Sequence, residues 1–569
     1  MKGICLMLLC AAATAWDAEG TLTTTKDGTL RWEPSVARAV RIVAPELTGL
    51  KAILKHQSIQ GNEAVLECTV DKGTVSVKIS AIENGLIARM TVAFDKPVTN
   101  DLETVIAFDV EGTAARQMGL PERNGVFKIW PMSPELGGAG KFELGNAAKG
   151  PIPCSTLGMP VVGLIFGENE PQLAVAADPY CGGFIRARGQ RVEIRTTYAG
   201  SVVPVTHEER TFALEFHRGG SDGTCRAFYR TVPEIKPGAP WTHGIHLVYY
   251  DYLSEKGLGW FKGLQALADR IPPQHRGHVA VALHGWYDYF QQYAYDHKTG
   301  KLLKEWTAFP GTHKVPMSLP EMHRRLKFAK DLGFRVLLYF SDGTNSDSGA
   351  PGFQRDYVLK DKNSKTFPGW KGPDSLGEPL KMDPSVPGLR EWYRGYLKAL
   401  LAEYGQQVDG FVWDETFYIP TNFISYPNDQ PAYADRAMMS LVSEMTQIVQ
   451  AYHKHNPDLV FLASDNGHTS YALVANGTWQ DSAMREQHWG PSMFSNYRNS
   501  LWSCNWYPLR HAKDNAIAAE KYGLPQGVSN GWGDNCGPHR MPPELLDAVL
   551  RRFTKNVDAK RQRLRYLAP

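Results

Sequence analysis

Beyond its first residues the chain has no apolar run long enough to span a membrane as a helix. Charge of one sign is missing too. The 62 Lys and Arg are nearly balanced by 59 Asp and Glu, and the signs are mixed along the chain, so there is no electrostatic footprint for a nucleic acid. The one basic run, RRFTKNVDAKRQRLRY near the C-terminus, reads as a solvated helix face. Cysteine is scarce, eight in 569 residues, and Cys68, Cys154, Cys181, Cys225, Cys504 and Cys536 stand too far apart for a metal knuckle or a disulfide-stapled scaffold. No metal ligand set or cofactor motif emerges, and calcium is not indicated. What is abundant is apolar residues, at 43%, enough in a chain of this length to bury more than one core.

The opening MKGICLMLLCAAATAWDAEG has one Lys, an apolar stretch from Ile4 to Ala13 and a small-x-small site at Ala13-Thr14-Ala15. It predicts a secretory signal peptide over 1–15, cut after Ala15, and a secreted or periplasmic protein. Leu9 before Cys10 is not the small residue of a lipoprotein signal. Export permits disulfides without requiring them.

From about Thr21 to Arg230 the chain alternates apolar and polar residues in short β-branched segments (AVLECTV, TVSVKISAI, LIARMTVAF, RVEIRTTYA), separated by Gly, Asn, Asp and Lys turns. Almost nothing there is long enough for an amphipathic helix, and the pattern predicts an antiparallel β-sandwich over 16–235. TVPEIKPGAPW, Thr231 to Trp241, reads as a linker. After it, eight apolar runs alternate with helical patterns: GIHLVYYDY, HVAVALHGWYD, RVLLYFSDG, VDGFVWDE, DLVFLASDNG, LVANGTWQDS, LWSCNWYP and QGVSNGWGD. That rhythm predicts a (β/α)8 TIM barrel over 241–569, with the Gly-, Pro- and Asp-rich stretch from Gly343 to Pro387 as a loop insertion on its active face.

VDGFVWDETF runs apolar up to two adjacent carboxylates, an expensive place to leave charge. In a barrel strand alternate side chains face the axis, so if Asp414 points inward then Gly410 and Val412 do too, while Phe411 and Trp413 face the helices and Glu415 begins the loop. Other strand ends repeat the habit, with Asp251, Asp288, Asp342, Asp465, Asp481 and Asp534. One such residue is an ordinary turn former. Seven on one rim, with Trp286, Trp306, Trp370, Trp479, Trp506 and Trp532 nearby, suit a sugar site: carboxylates bond hydroxyls, and aromatic faces stack on pyranose C–H faces. Trp413, despite its parity, is counted among the sugar-binding candidates, as is Arg485, which could bind a hydroxyl or hold a carboxylate ionised.

An exported sandwich before a barrel, MDPSVPGLREWYRGYL leading a helix, and DGFVWDE on the fourth strand resemble the α-galactosidase-like retaining glycoside hydrolases. The resemblance runs from about Trp241 to the C-terminus. It implies Asp414 as nucleophile, Asp481 on the sixth strand as acid/base, and an oligosaccharide, polysaccharide or glycoconjugate substrate with α-linkages. The strand-four Lys-x-Asp of many α-galactosidases is absent here, and no C-terminal β-domain is expected within the 569 residues. The chemistry needs such a pair on its own account, because retention requires an ionised carboxylate at the anomeric carbon facing a protonated one about 5–5.5 Å away.

Other signals are set aside. GVSNG matches GxSxG, but no acid and His follow at the distance a nucleophile elbow needs. His453 and His455 diverge at a helix end, GLGWFKG is a helix start, and Asp383 is a helix-leading turn residue. His284 and His313 could touch substrate, but a lone His more often satisfies a structural hydrogen bond. The rival readings are a carbohydrate-binding protein without catalysis on the same fold, and an inverting hydrolase or lyase.

Overall fold

The computed structural model describes residues 20–559 apart from loop segments, the longest being 133–142, 232–238, 465–474, 481–500 and 503–508, with 122–126, 145–147, 154–156, 521–524, 532–535 and shorter pieces. Residues 1–19, where a signal peptide is expected, and 560–569 lie outside the described residues.

Strict alternation builds the N-terminal half. In Glu63–Val70 the sequence EAVLECTV buries Ala64, Leu66, Cys68 and Val70 and turns Glu63 and Glu67 to solvent, and two antiparallel sheets of seven and nine strands repeat the pattern. Their inner faces share one apolar cluster that includes Trp32, Phe108, Phe212 and Phe216. The sequence pattern missed one helix here, α1 (Gly220–Phe228), too short for a periodic stripe to show. It lies close against the sheet because Gly163 has no side chain: a Cβ there would come within 2.5 Å of the Thr224 hydroxyl.

The C-terminal half is a parallel sheet of eight strands: β1 (Leu247–Asp251), β2 (Val279–Leu283), β3 (Arg335–Asp342), β4 (Gly410–Asp414), β5 (Val460–Ser464), β6 (Gly477–Gln480), β7 (Leu501–Trp502) and β8 (Gln526–Asn530). Each falls in one of the eight apolar runs. The order is β7-β6-β5-β4-β3-β2-β1-β8, so the last strand pairs with the first, Gln526 opposite Leu247 through Asn530 opposite Asp251. That order is cyclic, with no β7–β8 pairing among the described residues. Helices α2 (Gly259–Ala268), α3 (Leu319–Asp331), α4 (Pro387–Tyr404), α5 (Ala434–Ala451), α6 (Ala512–Glu520) and α7 (Pro543–Asp558) follow β1, β2, β3, β4, β7 and β8. Residues 481–500, between β6 and β7, lie outside the described residues.

Two long excursions leave the carboxyl ends of the strands. The one after β3 folds as a hairpin of Asn345–Asp347 on Pro379–Lys381. The other, after β2, carries two hairpins, including Glu305–Ala308 on Val315–Ser318, and sequence reading passed over it. The sandwich touches the same rim: Arg436 at the start of α5 pairs with Glu208 at 3.0 Å, and the Ala199 N–H donates to the Tyr433 hydroxyl at 3.3 Å.

The opposite ends of the strands are tied by buried charge. Asp409, just before β4 and 2% exposed, accepts from the Val336 N–H (2.7 Å), Lys330 Nζ (2.9 Å) and Arg335 Nη1 (2.9 Å). Removing Asp409 leaves the buried Val336 N–H without its acceptor, which typically costs about 1–3 kcal/mol, while Lys330 and Arg335 keep access to solvent. Asp409→Ala is therefore expected to lower the urea midpoint sharply while leaving the activity of the folded fraction unchanged. An equal loss of specific activity would show that this end of the sheet is coupled to the site.

Candidate active site

The site begins with the parity of β4. Trp413 packs toward the helices, its ring 5.0 Å from Tyr393 of α4 and its N–H on the Gly343 carbonyl at 2.7 Å. Gly410 faces the axis, where a Cβ would meet Val460 and Leu337 side chains at 2.7 and 2.9 Å, so the floor of the sheet admits nothing larger. Asp414, two pleats on, also faces inward and is 5% exposed. Its Oδ1 accepts the Glu415 N–H at 2.7 Å and its Oδ2 accepts the Tyr339 hydroxyl.

Glu415 takes a left-handed backbone, φ 53°, which swings its N–H back onto Asp414. Non-glycine residues adopt that region at a cost that the surroundings must repay. Its own carboxylate leaves the axis and meets Asn345 Nδ2 at 3.4 Å in the hairpin after β3. Lys381 of the same hairpin is half-buried; burial pulls its pKa down while the Glu415 charge pulls it up.

Asp342 reaches the interior by an irregularity. Tyr339 pairs with Val412 and Ser341 with Trp413, so Phe340 is an extra residue, a β-bulge. The bulge puts Tyr339 and Asp342 on the inner face and lets Phe340 pack on Tyr396 of α4 at 5.0 Å. Asp342 accepts from the Tyr293 hydroxyl at 3.4 Å and stands 3.8 Å from His284 Nε2. The His284 ring is wedged between Tyr339 (3.7 Å) and Tyr252 (4.2 Å), and its buried Nδ1 has no partner among the described residues. One interior cluster therefore joins Tyr252, His284, Tyr293, Tyr339, Asp342 and Asp414, drawn from the ends of the first four strands. Burial and the neighbouring carboxylates push the Tyr339 and Tyr293 hydroxyls well above their ordinary pKa, which keeps them proton donors.

Asp288 lies half-buried at the end of the second run and accepts the Ala294 N–H at 3.0 Å, with burial raising its pKa to about 6. The insertion after β3 reaches across to this side, where the buried Asp374 accepts from the Tyr287 hydroxyl at 3.4 Å and from Thr312.

Three expected sugar-binding residues need correction. Asp251 faces away from the axis with Tyr249, whose hydroxyl is so near α2 that a Cβ on Gly263 would touch it. Asp251 Oδ2 instead collects Tyr249 (3.0 Å), Ser254 (3.1 Å) and Asn530 (3.0 Å), a staple between β1, β8 and the start of α2. Trp286 and Trp413 have 0% exposure and leave no ring face for a ligand; the Trp286 N–H is spent on the Tyr339 carbonyl at 3.1 Å. Trp306 is likewise buried, its N–H on the Trp286 carbonyl at 2.7 Å. Asp465, Asp481, Arg485, Trp506, Trp532 and Asp534 lie outside the described residues, as do Trp370 and the Trp479 side chain. His313 is exposed against Phe309, Asp383 binds the N–H and hydroxyl of Ser385 as a turn residue does, and Ser529 of GVSNG is buried within β8.

The Asp251 assignment has a pH consequence. Burial raises its pKa to about 6, against the pull of its three donors and Arg325. In the fold it keeps its proton where an unfolded Asp has lost it, so its contribution to stability is present below about pH 4 and is lost as pH rises to about 6. Asp251→Asn, which keeps an acceptor for the three donors, is expected to abolish that decline and to leave activity intact. Urea midpoints from pH 4 to 7 that run parallel for the two proteins would refute it.

In sequence the chain matches no family model and no curated protein. Its fold does match solved structures. The α-galactosidase AgaA of Geobacillus stearothermophilus, of glycoside hydrolase family GH36, superposes with a TM-score of 0.56 at 11% identity over 96% of this chain and 76% of that one. The α-N-acetylgalactosaminidase NagBb of Bifidobacterium bifidum gives 0.53 at 9% identity, over 95% and 92%. A GH31 sulfoquinovosidase from E. rectale gives 0.53 at 10% identity, over 95% and 83%. The architecture of this chain is thus an α-galactosidase-like glycoside hydrolase fold.

Proposed function

We propose, from a fold shared with enzymes that cleave α-glycosides, that this chain is an exported glycoside hydrolase acting with retention on the α-linkages of an oligosaccharide, polysaccharide or glycoconjugate. Raffinose and stachyose are bound by variants of the Geobacillus α-galactosidase, which makes oligosaccharides the first substrates to try. The observation that carries the reading is Asp414: a nearly buried carboxylate at the carboxyl end of β4, facing the axis, with a donor on each oxygen. Functional groups of parallel α/β sheets gather at that end. The cyclic strand order supports a closed (β/α)8 barrel around it.

In this reading an Asp414 oxygen forms a bond to the anomeric carbon as the glycosidic C–O bond breaks. The electron pair goes to the leaving oxygen, which takes a proton from Asp481. Asp481, now a carboxylate, removes a proton from water as its oxygen attacks the anomeric carbon, and the electron pair of the ester bond returns to Asp414. Two displacements restore the configuration and the enzyme. Burial favours the scheme, since a charge developing on the sugar meets a fixed carboxylate in a poorly screened interior.

The test is turnover of a panel of aryl α-glycosides and α-linked oligosaccharides by the mature protein, with the first-formed anomer read by NMR. An α-anomer from an α-substrate is expected. A β-anomer would assign inversion, and sugar binding without turnover would assign a binding protein.

A further inference from the structure

We propose that Tyr339 is the positioning residue of the Asp414 carboxylate, and that its main effect is on release of the sugar from that carboxylate. The inference rests on the glycosidase reading above and adds a residue that sequence reading did not single out.

Tyr339 is fully buried, and its hydroxyl donates to Asp414 Oδ2. Its ring is held at 3.7 Å by His284, itself backed at 4.2 Å by Tyr252, and the bulge at Phe340 lets Tyr339 and Asp342 share the inner face. The hydroxyl therefore has one geometry, and it is aimed at the carboxylate. A donor to an ionised carboxylate stabilises the charged form and lowers its pKa. Once the oxygen carries the sugar as an ester, that charge is gone and the bond from Tyr339 is weaker. The hydroxyl thus favours the states in which Asp414 is free, and it eases departure of the carboxylate in the second displacement, when the electron pair returns from the anomeric carbon and water supplies the new oxygen. Among the described residues, the ionisable groups near Tyr339 and Asp414 include Asp342 on β3, His284 and Tyr293 after β2, Tyr250 and Tyr252 at the end of β1, Glu415 next in the chain and Lys381 beyond it. The Tyr339 hydroxyl holds Asp414 Oδ2 while the Glu415 N–H holds Oδ1, and Asp465 and Asp481 lie outside the described residues.

The experiment uses the mature full-length chain, the aryl α-glycoside it turns over best, and Tyr339→Phe, which keeps the ring and removes the donor. Expected are an acid limb of kcat/KM moved up by about one pH unit, a kcat lowered about 10- to 100-fold, a KM lowered with it, and a glycosyl adduct on the Asp414 peptide in acid-quenched samples. A purely structural role for the ring would not move the acid limb. Site-specific 3,5-difluorotyrosine at 339, a stronger donor of nearly the same shape, should move the limb down, and it decides the matter if the Phe variant fails to fold. An acid limb unmoved in either protein, with no adduct accumulating, overturns the positioning role while the glycosidase reading stands. Absence of turnover by the wild-type chain on every glycoside overturns both.

Discussion

Asp414→Gly is expected to lose at least about three orders of magnitude in kcat on aryl α-glycosides, the scale seen when a covalent nucleophile is deleted. The substitution removes the carboxylate that holds the sugar and leaves a gap at the inner end of β4. Azide should enter that gap and restore part of the rate, giving a glycosyl azide of inverted configuration because only one displacement then occurs. Glu415→Gln is the matched control. Glu415 supplies its backbone N–H to Asp414 and directs its side chain to Asn345, away from the axis. An amide there can still meet Asn345, so most activity should survive. A dead Glu415→Gln beside an active Asp414→Asn would overturn the assignment.

Asp481→Ala should separate substrates by leaving group. An acid/base residue contributes about 10²- to 10⁴-fold where the leaving oxygen needs a proton, and little where an activated phenol departs unaided. Hydrolysis of α-linked oligosaccharides is therefore expected to collapse by that factor, while the first step on dinitrophenyl glycosides stays near wild type and a burst becomes visible as the second step slows. The acid must keep its proton near neutral pH, helped by the negative Asp414, so the basic limb of the pH profile should vanish in the variant. Equal losses on both substrate classes would remove Asp481 from the role.

The inward face of β4 was legible in the sequence because GFVWD alternates small and bulky residues, and a narrow axis accepts only the small set. Strand β1 has no such contrast. LVYYD is buried on both faces, so nothing local decides whether Asp251 faces axis or helix, and the outward choice came from Gly263 making room for the Tyr249 hydroxyl. Asp342 was placed inward by the bulge at Phe340, and a one-residue insertion reverses parity without leaving a pattern in the strand itself. Trp286, Trp306 and Trp413 misled for a related reason. A Trp near a strand end can cover a sugar or fill the layer between sheet and helices, and both uses need the same apolar ring.

By itself the sequence determined what short-range periodicity can encode: alternating strands for the sandwich, eight apolar runs that each became a parallel strand, the helices between them, and a carboxylate at the end of the fourth run. Those features depend on neighbours two to four residues apart, which the chain carries wherever it folds. The tertiary structure decided which carboxylates share one interior, because that depends on register, a bulge and side-chain volume across strands. Tyr339 meets Asp414 across 75 residues, and Tyr293 meets Asp342 across 49. No local pattern links such pairs; they are brought together by parallel β3 and β4 lying side by side and by the loop after β2 folding back over them.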